Sequence, residues 1–203
     1  MRLHGADWND ALDMAWEKGE SVAFTCAYAG NLRNIAKTLR QLEEISGSSK
    51  IEIAHEMEDL LAGSVELYED AARKQALLAG YAKKCEHNIS GDTIIVRLDQ
   101  LAANLEGKAD WMMKNIRANE WVKDGEDGWF NGYYDNHGRK VEGVMDESVR
   151  MMLTGQVFAI MSGTATEDQV ESICRSADKY LYDQKAGGYR LNTNFHEERS
   201  EER

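Results

Sequence analysis

The 203-residue sequence has no proline, only three cysteines and a deficit of basic residues. At an average usage of about 5%, a chain of this length would carry roughly ten prolines. Their absence fits a mainly α-helical chain, because proline lacks the N–H and clashes with the preceding helical turn. It argues against a loop-rich sandwich and against a proline-rich linker. Cys26, Cys85 and Cys174 are far apart, odd in number and without Cys-x-x-Cys spacing, so reduced thiols are expected, each a small buried apolar residue. No apolar run reaches the roughly 18–20 residues that span a bilayer. The N-terminal residues also lack the apolar stretch of a signal peptide, so the expectation is a cytoplasmic protein without membrane contact. Lys+Arg number 24 against 36 Asp+Glu, a net charge of −12, and no basic stripe carries interleaved aromatics. Such a chain repels phosphate backbones, which excludes nucleic acid as a partner.

What is present is helical periodicity. From Glu20 to Ile45, the residues Val22, Cys26, Tyr28, Leu32, Ile35, Leu39 and Leu42 recur at steps of mostly three and four, predicting one amphipathic helix. Ser46-Gly47-Ser48-Ser49 ends it. A second periodic segment runs from Ile51 to about Lys84 through Ala54, Met57, Leu61, Tyr68, Ala72 and Leu78, with Gly63 and Gly80 as weak points. Ile94-Ile95-Val96 reads either as a brief strand or as the entry to a third helix carrying Leu98, Leu101, Leu105, Ala109, Met112 and Ile116. From Asp124 to Gly143 the composition changes to Gly, Asp, Asn and aromatics, predicting a β-hairpin with its turn at Asn136-His137-Gly138. Helix returns from Met151 to Met161 and ends at Gly163. Thr166 and Gln169 have capping-box spacing for a last helix whose face is Val170, Ile173, Cys174, Ala177 and Leu181, stopped by Gly187-Gly188. The run from His196 to Arg203 reads as a charged, solvated tail.

The sequence contains no Gly-x-x-x-x-Gly-Lys-Ser/Thr loop, no dinucleotide fingerprint and no His-Glu-x-x-His. Histidines 4, 55, 87, 137 and 196 share no ligand spacing, so no metal site is expected. Three places are dense enough in polar groups to carry chemistry. In Gly5-Ala6-Asp7-Trp8-Asn9-Asp10, one reading makes Asn9 or Asp10 a helix N-cap. The other makes one carboxyl a general acid, its pKa raised by an adjacent indole and by Asp7. In the hairpin, Trp129, Asn131 and Tyr133 alternate with Phe130, Gly132 and Tyr134, so one face packs on helices and the other is open to pack or to meet a ligand. Asp135 and Arg139 suit a surface ion pair closing the turn. In the third, Leu153 to Gly163, Gly155 and Gln156 imply a close backbone approach with one polar side chain pointing inward.

Taken in order, Ala6-Asp7-Trp8-Asn9-Asp10, Gly19-Glu20-Ser21-Val22, Gly128-Trp129-Phe130-Asn131-Gly132-Tyr133-Tyr134-Asp135, Gly155-Gln156 with Ser162-Gly163, and Gly187-Gly188-Tyr189-Arg190-Leu191 resemble the catalytic barrel of glycoside hydrolase family 94, the inverting disaccharide phosphorylases. The resemblance implies that Asp10 is the proton donor and that Trp8 contacts the sugar. Asp7, Tyr133 and Gln156 are the further candidate substrate contacts. It implies attack by inorganic phosphate on a β-linked disaccharide or oligosaccharide, giving a sugar 1-phosphate, with phosphate as co-substrate and no other cofactor. An inverting hydrolase on the same scaffold would need a second carboxylate, such as Glu142 or Asp135, to activate water. A third reading is a non-catalytic helical sugar-binding or interaction module.

The family's fold implies that residues 1–195 are part of an (α/α)6 toroid with one β-hairpin insertion, followed by the tail 196–203. Twelve helices of roughly ten to fifteen residues with their connections would leave almost nothing of the chain for the hairpin. The expectation is therefore a fragment of a longer chain or, as the alternative, a stand-alone remnant, in either case inactive as a phosphorylase by itself, with self-association through exposed barrel faces.

Overall fold

The computed structural model describes residues 13–61, 65–145 and 148–195. The helices are α1 (Val22–Ser46), α2 (Glu58–Leu61), α3 (Val65–Glu69), α4 (Ala71–Lys84), α5 (Leu98–Asn119), α6 (Leu153–Met161) and α7 (Glu167–Tyr180). The strands are β1 (Glu20–Ser21), β2 (Lys50–Ala54), β3 (Thr93–Arg97), β4 (Trp121–Asp124), β5 (Asp127–Phe130), β6 (Tyr133–Tyr134), β7 (Gly143–Val144), β8 (Val149–Arg150), β9 (Tyr182–Asp183) and β10 (Gly188–Tyr189). The described chain is thus mainly α, and no helix in it is long and apolar enough to cross a membrane. It forms two compact units, one of Met1–Gly30 with Met112–Arg203 and the other of Asn31–Trp111.

In the Asn31–Trp111 unit, Ala36 and Leu39 of α1 pack on Leu98, Leu101 and Ala102 of α5. Both alanines are fully buried, and their small side chains let the two helices approach closely. Arg33 pairs with Asp110 and Arg40 with Glu106 across the same two helices, at exposed positions where such pairs contribute about 0–1 kcal/mol. The segment expected to run as one helix from Ile51 to Lys84 instead opens with β2, antiparallel to β3 in the register Ile51↔Val96 and Ile53↔Ile94. Two β-branched runs with period-two alternation found each other across about forty residues of chain, and that pairing overrides the weaker helical periodicity. The Ile94–Val96 run is accordingly a strand. After β2 the helix is broken into a 3-10 turn at His55–Met57 and the short α2 and α3 before α4, which Asp70 caps by accepting the Arg73 N–H. Gly63 lies outside the described residues.

In the other unit, the first turns of α1 bury Val22 and Cys26 against Ile116, Phe130, Ala159 and Ile173. Helix α7 has the expected capping box, Thr166 accepting from the Gln169 backbone while the Gln169 side chain accepts from Thr166. It buries Ile173, Ala177 and, just past its end, Leu181. Cys26 is buried as expected, but Cys85 is half-buried and Cys174 exposed. Cys174 stands about 100° round the helix from Ile173 and so leaves the buried stripe. The helix ends at Tyr180, well before Gly187-Gly188. Gly187, at φ +67°, instead turns the β9–β10 hairpin, a conformation that glycine reaches without strain.

The expected hairpin resolves into two devices. Its main turn is Gly125-Glu126, between β4 and β5, with Gly125 at φ +62°. The Asn136-His137-Gly138 turn is a smaller loop, bridged at Tyr134↔Lys140. Nor is the hairpin the one sheet element: β1–β6, β7–β8, β9–β10 and β2–β3 are further two-stranded pairs among the described residues. Of the two readings of the hairpin aromatics, packing is the one seen at Trp129, Phe130 and Tyr133. Trp129, Phe130 and Tyr133 are all buried, Trp129 against α7 and Phe130 against α1 and α6, because helices pack on both sides of β5.

One edge of β5 faces these helices. Ser176 Oγ on α7 accepts from Gly128 N–H and donates to Gly128 O. Gln156 on α6 does the same for the next rung, its Oε1 accepting from Phe130 N–H and its Nε2 donating to Phe130 O, both at 2.8 Å.

Candidate active site

The segment that follows the Asp7–Asp10 motif docks on the 133–142 loop. Asn136 N–H donates to Met14 O, while its Oδ1 accepts the N–H groups of both Glu17 and Lys18. Next, β1 pairs with β6 in the register Ser21↔Tyr133. Met14, Ala15 and Ala23 then share a cluster with Tyr133, Val141, Met152 and Phe195. Three short elements that carry little periodicity are thereby fixed by one another.

At the centre of this junction the backbones of Gly132 and Gly155 touch. A Cβ on Gly155 would stand 2.9 Å from Gly132 Cα, and one on Gly132 would stand 2.8 Å from Glu142 Oε1. The close approach expected of Gly155 is therefore real, and its partner is a second glycine. Glu142 is 1% exposed. Its Oε1 accepts Gly132 N–H and its Oε2 accepts Met152 N–H, each at 2.7 Å. Burial pushes this carboxyl up to about 8, against the pull of those two N–H groups.

A second carboxylate, Glu120, sits where α5 meets β4. It accepts from Tyr134 Oη and Asn131 Nδ2, and Lys140 Nζ stands 3.7 Å away. Burial, with Glu120 beside it, holds the Tyr134 phenol above its ordinary value. Asn131 links the Glu120 carboxylate to the Glu142 backbone, since its Oδ1 accepts the Glu142 N–H at 3.2 Å. Asp135 closes the smaller turn by accepting from the backbone N–H groups of His137 and Arg139 and from Arg139 Nε. The Asp135–Arg139 pair thus forms, but only its arginine is exposed.

Of the residues predicted to make the site, Asp7, Trp8 and Asp10 lie outside the described residues. Tyr133 and Gln156 are brought to the same junction, Tyr133 beside Gly132 and Gln156 beside Gly155. Both are 1% exposed. The Gln156 amide is engaged by Phe130, by Met152 O at 3.0 Å and by Glu142 Oε2 at 3.4 Å, so it points inward as expected. Sequence reasoning missed the roles of Glu120, Asn131 and Asn136. The only signal at Asn136 was its turn composition, which says nothing about a partner more than a hundred residues away. Among the described residues no group of three or more His, Cys, Asp or Glu side chains is placed to hold a metal ion.

A family model described as glycosyl hydrolase 94 superfamily, catalytic domain, matches residues 96–201. The match starts near the end of β3 and takes in α5, the β4–β5 hairpin, the Gly132–Gly155 junction and α7. No curated protein matches the chain.

Proposed function

Because the chain belongs to the glycosyl hydrolase 94 superfamily, whose catalytic-domain model covers just over half of it, we propose that it supplies the acid side of an inverting phosphorylase site in an (α/α)6 toroid. The substrate is a β-linked disaccharide or oligosaccharide. Asp10 gives its proton to the glycosidic oxygen while inorganic phosphate, the co-substrate, attacks the anomeric carbon from the opposite face. The bond to the leaving sugar breaks and a sugar 1-phosphate of inverted configuration forms, with no cofactor. Trp8 and Asp7 hold the sugar, and Tyr133 and Gln156 contribute from the β6–α6 junction. The reaction is assigned to the cytoplasm. Val157, Ile160 and Met161, apolar and exposed on α6, are suited to self-association.

The observation that favours phosphate over water is the state of the two carboxylates that were candidates for a hydrolase's base. An inverting hydrolase places a free carboxylate across the sugar from the acid to activate water. Glu142 is buried and bonded through both oxygens, and Asp135 is held by its own turn. Phosphate is already a nucleophile and needs neither.

The test gives a β-linked disaccharide to the chain co-expressed with the remaining barrel segment of a family member. Phosphorus NMR reads the product. A sugar 1-phosphate that requires phosphate and disappears in Asp10→Asn is expected. Reducing sugar released equally well without phosphate would overturn the reading, as would full turnover by Asp10→Asn.

A further inference from the structure

Helix α1 spends one face on its own chain and leaves another bare. Its buried side carries Ala29, Leu32, Ala36 and Leu39. Turned away from these stand Tyr28, Ile35, Leu42 and Ile45, which are 45%, 49%, 41% and 85% exposed. Together with half-buried Phe24 and exposed Asn31 and Thr38, they follow one another at alternating steps of four and three. That alternation averages about 3.5 residues, the spacing of a seam that receives a second helix. Single exposed apolar residues need no explanation, but a continuous stripe along about six helical turns marks a contact.

The stripe carries no charge. The chain as a whole is at −12, and α1 holds Arg33, Lys37, Arg40, Glu43 and Glu44, yet none of these falls on the stripe. The row bordering it, Ala27, Asn34 and Gln41, is uncharged as well. Arg33 and Arg40 reach the other way, to Asp110 and Glu106 of α5. Two copies of so acidic a chain repel one another over most of their surface. On this face they can approach without bringing carboxylates together.

The order of residues identifies the partner. From Phe24 to Ile45 the stripe runs apolar, apolar, polar, apolar, polar, apolar, apolar, and it reads the same from either end. Ile35 is the centre, with Tyr28 and Leu42 each seven residues away. An antiparallel second α1, related by a two-fold axis at Ile35, sets Ile35 against its own copy, Tyr28 against Leu42 and Phe24 against Ile45. Asn31 then falls against Thr38, whose Oγ1 already gives its proton to Asn34 O and is left as an acceptor for the Asn31 amide. A foreign helix would impose no such symmetry on the stripe.

We propose that the Phe24–Ile45 stripe of α1 is a homodimer contact, packed antiparallel on the same stripe of a second copy of this chain. Its four most exposed side chains offer roughly 400 Å² of apolar surface per copy, about half of what each partner gives to a standard interface. The dimer is therefore weak, with a dissociation constant on the order of micromolar. The contact rests on α1 alone, so it is independent of the proposed reaction, and it uses a different helix from Val157, Ile160 and Met161 of α6.

Sedimentation equilibrium of the intact chain, from about 1 to about 500 μM, brackets such a constant. The average mass should climb from 22.9 kDa toward twice that value. Ile35→Asp sets two carboxylates against each other on the axis and should weaken the dimer at least about tenfold, with helical circular dichroism retained. Met161→Asp should leave the dimer as it is. With Cys85 and Cys174 replaced by serine, Ile35→Cys should cross-link copy to copy under diamide, while Leu78→Cys, similarly exposed but on α4, should not. A monomer at every concentration overturns the contact, whether or not another protein binds the stripe. So does a dimer that Ile35→Asp leaves intact or Met161→Asp abolishes, and so does Ile35→Cys cross-linking no better than Leu78→Cys.

Discussion

Replacing Gly155 by alanine should destabilise the Gly132–Gly155 junction, although the same change elsewhere in a helix does the opposite. The new Cβ would stand 2.9 Å from Gly132 Cα and 3.4 Å from Gly132 N, backbone atoms that cannot rotate away. Reaching an ordinary contact requires a separation of about 0.5 Å. Gly132 cannot move by that much without lengthening its 2.7 Å bond to Glu142 or loosening its carbonyl from Val22 and Ala23. Overpacking typically costs about 1–3 kcal/mol, and weakening one or two buried hydrogen bonds adds about 1–3 kcal/mol each. The helix propensity gained over glycine returns about 1 kcal/mol. With one such bond weakened, the net expectation is a loss of about 1–5 kcal/mol. Gly107 is the control, since it is an exposed α5 residue whose Cβ would meet nothing within 4 Å, and Gly107→Ala should gain about 0.5–1 kcal/mol. Urea unfolding of the two variants, followed by tryptophan fluorescence, reads both. A Gly155→Ala chain as stable as the parent would show that the junction is loose, and the account of Glu142 as its centre would fall with it.

Two further outcomes concern caps and turns. Thr166→Ala removes half of the capping box on α7 and should cost about 1 kcal/mol, read as a lowered urea midpoint with unchanged slope. The carboxyl of Asp135 is shifted in the opposite direction to that of Glu142. Burial tends to raise its carboxyl, but the N–H groups of Arg139 and His137 and the Arg139 guanidinium hold it below the ordinary value. Its contribution is therefore present above the ordinary aspartate pKa and lost as pH falls through the folded-state value. Unfolding free energies measured from neutral pH down to about pH 2 should show that acid loss shrink in Arg139→Ala. An unchanged acid limb would mean that the arginine does nothing for the turn.

The long helices were legible because each carries its own signal. Val22, Cys26, Leu32 and Leu39 announce α1 by spacing, and Thr166 with Gln169 announces the start of α7. Gly155 and Gln156 were legible as a pair, a missing side chain beside an inward polar one, though not what they meet. The failures share one cause, which is that their partners lie far away in sequence. Ile51 and Ile53 became a strand because Ile94 and Val96 were available to pair with. The two-residue strands β1 and β6 are too short for any period to show. Glu142 looked like a spare catalytic carboxylate, and only the fold reveals that Gly132 and Met152 occupy both of its oxygens. Asp7, Trp8 and Asp10 were read from sequence alone.

The side chains of Ser176 and Gln156 on the outer edge of β5 have a consequence for how this chain meets other chains. A bare strand edge offers alternating N–H and C=O groups on which another strand can template itself. Here the rungs at Gly128 and Phe130 are already taken, each by a single side chain that both gives and receives a hydrogen bond. The two helices together imitate a neighbouring strand without supplying one. The hairpin therefore stops at two strands, and association of this chain through that edge is closed off by the same helices that bury its aromatic residues.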